Sequence, residues 1–175
     1  MIIITYLQTF EKMFIILYMK NIKTNAMRQL DAQKIKYEVY TYDAEDGKID
    51  GLSVAQKCHQ DVRMVYKTLV ARSASNKIYV FVVNVADELD LKKCAKAVHE
   101  KSIAMVHVNE LLGLTGYVRG GCSPIGMKKK YPVILSDTAA SLDSIIFSGG
   151  KIGCQIHCSV NDFMKVTQAF MACII

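Results

Sequence analysis

Val65-Tyr66-Lys67-Thr68-Leu69-Val70 is an apolar, β-rich run with one lysine inside it. Its length and composition read as a strand, and at a period of two Lys67 shares a face with Val65, Leu69 and Ala71. An ammonium on an apolar face is costly unless it meets a partner or reaches water. The run has two readings on its own. Lys67 is either an edge-strand lysine whose stem lies along apolar surface while its head reaches solvent, or a cation at the wall of a pocket. The second informative stretch is Gly116-Tyr117-Val118-Arg119-Gly120-Gly121-Cys122-Ser123-Pro124-Ile125-Gly126. Its glycines let backbone N–H groups approach a ligand closely, and Pro124 stiffens the exit. A lone cation and a glycine-rich backbone cradle suit an anion or a developing oxyanion. A tight turn is the simpler reading of Gly120 and Gly121.

Working outward, Thr24 or Asn25 caps a helix running to about Ile35, and Lys36 to Tyr42 alternates as a strand. Asp43 to Gly51 is a polar turn region, followed by a helix from Ser53 to about Cys58. Ser73 to Asn76 turns the Lys67 strand into Lys77 to Asn84, a buried strand. Asp90 to His99 is a helix with Leu91, Cys94, Ala95 and Val98 on its apolar stripe. Val108 to Leu112 is a short helix entering the glycine segment. Strands follow at Pro132 to Leu135, Ser144 to Phe147 and Ile152 to Cys158. Ser159 or Asn161 caps a last helix toward Met171. Strands and helices mix without strict alternation, so the fold class is one mixed α/β or α+β domain. Lys128-Lys129-Lys130 is a short basic run, either a solvated turn or an anion contact beside the glycine segment.

The chain has 175 residues, 51% of them hydrophobic, which is enough for one domain with a core and argues against disorder. A net charge of +6 suits an anionic partner such as nucleic acid without demanding one. The six cysteines contain no Cys-x-x-Cys pair. On a strand, Cys154 and Cys158 share one face while His157 points the other way, which reads as core packing and not as a zinc site. Scattered cysteines without a framework fit a reducing, cytoplasmic setting. Residues 1–18 hold two apolar runs broken by Glu11 and Lys12. They lack the pattern of a signal peptide or of a membrane span, so no integral membrane contact is expected. The expectation is an extension outside a functional domain over residues 19–175, set against a short amphipathic segment lying on a membrane surface.

Several ordered motifs then converge. They are Thr41-Tyr42, Val65 to Leu69, Leu89-Asp90-Leu91-Lys92-Lys93-Cys94-Ala95-Lys96-Ala97, Thr115 to Gly126, and Phe147-Ser148-Gly149-Gly150-Lys151 with Gly153. Over about residues 22–171 the chain resembles the YbaK/EbsC family of freestanding aminoacyl-tRNA deacylases, relatives of the prolyl-tRNA synthetase editing domain. The branch it resembles most clears cysteine from mischarged proline tRNA. The resemblance implies a mixed β-sheet, partly closed like a barrel, with flanking helices. It implies hydrolysis of the ester at the tRNA 3′ adenosine, with no cofactor and no metal. Its implied partners are aminoacyl-tRNA, at the 3′ end of tRNA(Pro), and prolyl-tRNA synthetase.

Residue by residue, the family lysine matches Lys67 and the Gly-x-x-x-Pro loop matches Gly120, Gly121, Cys122, Ser123 and Pro124. The pocket tyrosine matches Tyr42, the threonine after the lysine Thr68, and the serine before the double glycine Ser148. Lys67 and Gly120 carry the catalytic expectation. Backbone N–H groups at Gly120 to Ser123 suit a tetrahedral oxyanion, and Lys67 suits the 3′ phosphate or terminal ribose. No Ser-His-Asp or Cys-His arrangement appears, and in the branch it resembles the substrate thiol attacks the ester, giving a thiolactone. Three positions depart from the pattern. Ile49-Asp50-Gly51 stands where a Phe-Gly pair is usual, Gln155 where some members have an acid, and Cys122 where an aliphatic residue is usual. Cys122 reads as a packing substitute. Two other functions stay open: a deacylase for alanine or another small residue, and a non-catalytic tRNA- or nucleotide-binding module.

Overall fold

The computed structural model of the chain describes residues 23–175, so the expectations for residues 1–18 lie outside the described residues. Thr24 caps the first helix, α1 (Asn25–Ala32), by accepting from the Met27 amide, and its hydroxyl donates to the Gly149 carbonyl at 2.6 Å. Lys34, at φ 56°, turns the chain after α1, and the Ile35 amide folds back onto the Leu30 carbonyl. The helix therefore stops short of Ile35, although that side chain is buried as its pattern requires. Strand β1 (Glu38–Thr41) leads through a polar loop to α2 (Gly51–Lys57), capped by Asp50. A short 3-10 turn (Val62–Met64) precedes β2 (Tyr66–Ser73) and β3 (Ile78–Asn84).

Helix α3 (Leu91–Ala97) starts at Asp90, whose carboxylate accepts from the Lys92 and Lys93 amides. Then come β4 (Ile103–Met105) and α4 (Val108–Thr115), which ends at a left-handed Gly116. The chain continues through the glycine loop to β5 (Val133–Ser136), β6 (Ser144–Ser148) and β7 (Cys154–Ser159). Ser159 caps α5 (Val160–Thr167). This last helix does not reach Met171. Gln168 is left-handed at φ 55°, and Phe170–Ala172 form β8, parallel to β5 with Phe170 opposite Ile134. Strands β4 and β8 are too short to show a period, so only their pairing reveals them.

The strands make two sheets, in the orders β1-β7-β6 and β4-β2-β3-β5-β8. Alternation along β3 divides the core. Val80 and Val82 face Leu30, Leu135, Phe147, Ile156 and Phe163, while Tyr79 and Phe81 face Cys94, Ile134 and Ile174. Phe147 and Phe163 meet edge to face at 5.1 Å, a geometry worth about 1 kcal/mol beyond burial alone. Cys154 and Cys158 are buried in the larger cluster, and His157 points away to Glu38 and Ser144, as the strand reading requires. A third cluster of Ala55, Val65, Val85 and Ile146 lies where the sheets meet. There one parallel bridge, Val65 with Ile146, joins them, so the barrel is seamed at one point and not closed. No helix among the described residues is long and apolar enough to cross a membrane.

Candidate active site

Beside that seam the two sheets diverge around a cavity of about 380 Å³. Strand β2 contributes Lys67 and Thr68, the end of β6 Ser148, and β7 Cys154 and Gln155. Register places Ser148 directly opposite Gln155, so the two side chains share one face of the smaller sheet. The β1–α2 loop supplies Tyr42, Ile49 and Asp50, and the glycine loop supplies Arg119, Gly120 and Cys122. Leu52, Val54, Val65, Leu69 and Val85 complete an apolar wall.

Lys67 is partly buried and its ammonium donates to the Val85 carbonyl at 3.2 Å. Among the described residues no carboxylate lies within ion-pair distance of it. One carbonyl leaves most of its three donors and all of its charge available, which suits an anionic or carbonyl oxygen. Tyr42 is held by its amide, which donates to the Gly153 carbonyl, and by Lys57 5.9 Å from its ring centroid. Burial raises its phenol above the ordinary range, so the hydroxyl stays a donor. Lys57 also donates to the Asp43 and Lys48 carbonyls and pairs with Asp46, so one ammonium ties the loop over the cavity.

The glycine loop behaves differently from its reading as a continuous cradle. Gly120 is left-handed at φ 80° and faces the cavity, and a Cβ there would lie 2.6 Å from Ile49 Cδ1. Ile49 thus forms the wall where the resembled family has an aromatic side chain. The Gly121 amide donates to the Val118 carbonyl within the turn, and a Cβ on Gly121 would meet the backbone of Lys151 and Ile152 at about 3.0 Å. Gly121 is there for backbone-to-backbone packing, and its N–H is not free for a ligand. Ser123 is fully buried, with its hydroxyl accepting from the Ile125 amide. Pro124 lines a separate cavity. Gly121, Ser123 and Pro124 therefore sit behind the wall, while Lys67, Thr68, Tyr42, Gly120, Cys122 and Ser148 come together on it.

Nothing on this wall is a ready protein nucleophile or strong base. Burial pushes the Cys122 thiol up to about 12 and the Cys154 thiol up to about 11, so both are protonated at neutral pH. The Asp50 carboxyl is held below its ordinary range by hydrogen bonds from the Ser53 hydroxyl and then the Ser53 amide. Among the described residues no histidine lines the cavity. Lys129 and Lys130 lie away from it, lining a second cavity with Lys165. Among the described residues no cluster of three His, Cys, Asp or Glu side chains is placed to hold a metal.

The model of the aminoacyl-tRNA editing domain matches residues 52–166, which include β2, the glycine loop and β7. The chain belongs to the aminoacyl-tRNA editing domain family. A relative from Enterococcus faecalis named "Putative Cys-tRNA(Pro)/Cys-tRNA(Cys) deacylase EbsC" is 39% identical over 150 residues, covering 86% of this chain and 92% of that protein. The fold of this editing-domain protein matches a solved structure described as "a putative trans-editing enzyme for prolyl tRNA synthetase". The TM-score is 0.75 at 22% identity, over 88% of this chain and 98% of that one. It also matches hypothetical protein APE2540, with a TM-score of 0.78 at 16% identity, over 86% and 99%. The resemblance read from the ordered motifs is borne out at the level of family and fold.

Proposed function

We propose that this protein is a trans-editing deacylase that releases cysteine mischarged on tRNA(Pro), with the substrate thiol as nucleophile. The observation that carries the reading is a cavity with an ammonium at Lys67 that meets one carbonyl and no carboxylate, and an exposed guanidinium at Arg119, but no thiolate, imidazole or strong base among the described residues. Such a wall positions an ester and does not activate water. Cysteine brings its own nucleophile: its thiol ionises near pH 8.5, whereas a serine hydroxyl stays protonated and needs a base. The thiolate attacks the carbonyl carbon of its own ester and the tRNA 3′ oxygen leaves, taking up a proton. The thiolactone formed then opens in water. Lys67 holds the terminal ribose or phosphate, and the Tyr42 and Ser148 hydroxyls meet the substrate's polar groups. Gly120 leaves the approach open beside Ile49.

The 39% identical EbsC, named for Cys-tRNA(Pro) and Cys-tRNA(Cys), supports the amino acid assigned. The exposed Lys129, Lys130 and Lys165, without an acidic partner among the described residues, supply a surface for tRNA phosphates outside the catalytic cavity. Recognition of the proline tRNA is assigned to a complex with prolyl-tRNA synthetase in the cytoplasm. The test is release of cysteine, serine, alanine and proline from one tRNA. Cysteine is expected to leave fastest, by at least tenfold over serine. Equal rates for cysteine and serine would defeat the thiol mechanism, and faster release of alanine would make this a deacylase for a small apolar residue.

A further inference from the structure

Two lysines near the cavity use their donors differently. Lys67 meets one carbonyl. Lys57 Nζ meets three oxygens: the Asp43 carbonyl at 2.7 Å, the Lys48 carbonyl at 2.9 Å and Asp46 Oδ1 at 2.5 Å. An ammonium has three N–H donors, so this one is fully engaged. Its side chain is only 22% exposed, and all three acceptors belong to one segment, residues 43–48. That segment is exposed apart from half-buried Ala44, and none of it packs into the three buried clusters. An exposed loop without such packing samples many conformations unless something else restrains it.

The two carbonyls stand at the ends of that segment. Asp43 follows Tyr42, and the Lys48 carbonyl belongs to the peptide that joins Ile49. Tyr42 and Ile49 line the cavity, whereas Lys57 does not. Between the two ends the Glu45 and Lys48 amides donate to the Asp43 and Asp46 carboxylates, and Gly47 turns the chain at φ 71°. Lys57 is the last residue of α2, whose cap Asp50 comes two residues after Lys48, so the far end of the helix reaches back and joins both ends of the loop. Its ammonium also lies 5.9 Å from the Tyr42 ring centroid, within the range of cation–π attraction. One cation thus sets the spacing of two wall residues from outside the cavity. We propose that Lys57 is a positioning residue for deacylation, which holds Tyr42 and Ile49 at the ester by clamping residues 43–48. This rests on the deacylase reading and adds to it a residue that touches no substrate.

The test is Lys57→Met, which keeps an unbranched stem and removes the charge and all three donors. Its kcat for cysteine release is expected to fall at least about tenfold, within the scale of a wall displaced by about 1 Å. KM for charged tRNA should stay within about twofold, because the lysines that meet phosphates are untouched. The same fall in kcat on a cysteinyl ester of adenosine would place the defect at the cavity. Hydrogen exchange at the Glu45 and Lys48 amides should speed up about tenfold while β2 and β3 keep their protection. Asp46→Ala, which removes one of the three acceptors, should give the same pattern with a smaller fall, and it serves if the Met variant does not fold. A folded Lys57→Met protein with wild-type kcat would overturn the proposal, whether or not its loop exchanges faster. A rise in KM with kcat kept, or loss of protection throughout β2 and β3, would also overturn it. Each of those results leaves the deacylase reading intact. Failure of the wild-type protein to release cysteine would overturn that reading and the proposal with it.

Discussion

At the residue scale, Lys67 combines a partly buried position and a single carbonyl contact with no acidic partner among the described residues. Lys67→Ala is expected to lower cysteine release by about a hundredfold or more, the usual scale of a lost positioning charge, with an unchanged melting curve. A folded variant with nearly full activity would remove Lys67 from the mechanism. Cys122 is expected to be inert. With its thiol pushed up to about 12, iodoacetamide at neutral pH should label exposed Cys173, leave Cys122 unmodified and spare activity, as peptide mapping would show. Lys67 was legible as a lone cation in an apolar strand run, whereas Tyr42, Thr68 and Ser148 were legible only through the resemblance of the ordered motifs to the deacylase family. The glycine loop was legible only in part. A glycine signals close approach without saying to what, and at Gly121 the approaching group is the 151–152 backbone instead of a ligand. The placement of Gln155 opposite Ser148 depends on β7 register against β6, which composition does not encode.

At the element scale, the cavity walls depend on ties between distant segments. Thr24 caps α1 and bonds the Gly149 carbonyl, anchoring the turn that follows Ser148. Thr24→Ala is expected to destabilise the fold by about 1–2 kcal/mol, the sum of a lost cap and a lost hydrogen bond, seen as a lower denaturation midpoint. Gly120→Val is expected to reduce both stability and turnover. Its left-handed backbone strains any side chain by about 1–2 kcal/mol, and the new Cβ would push Ile49 into the cavity. Normal turnover by that variant would show that the Ile49–Gly120 contact does not shape the substrate's path. The strands and helices predicted from periodicity were mostly found within a few residues, since caps such as Thr24, Asp90 and Ser159 announce themselves. The last helix was overextended because Phe170 and Met171 are equally apolar on a helix face or paired with β5.

At the scale of the whole molecule, a net charge of +6 favours an anionic partner. Lys129, Lys130 and Lys165 line a cavity of about 200 Å³, reached by the chain that leaves the catalytic wall through Pro124. Reversing Lys129 and Lys130 to glutamate is expected to raise KM for charged tRNA several-fold. The defect should be largest near 50 mM salt and fade by about 200 mM, as screened phosphate contacts do. Release from a cysteinyl ester of adenosine alone should be unaffected, which separates the docking surface from the chemistry. Equal defects on both substrates would place these lysines in the catalytic unit or the core.

The single Val65–Ile146 bridge has a consequence for time-resolved behaviour. The bond from the Val85 amide to the Val65 carbonyl sets the alternation along β2, so the amides of Lys67 and Leu69 point to β3. The Thr68 amide faces the other way, like Val70, whose carbonyl takes the Val106 amide; among the described residues no strand is paired opposite Thr68 itself. In deuterated solvent Thr68 should therefore exchange quickly between two slow neighbours. A ligand that fills the gap should erase that contrast, which makes this one backbone position a built-in clock for occupancy of the seam.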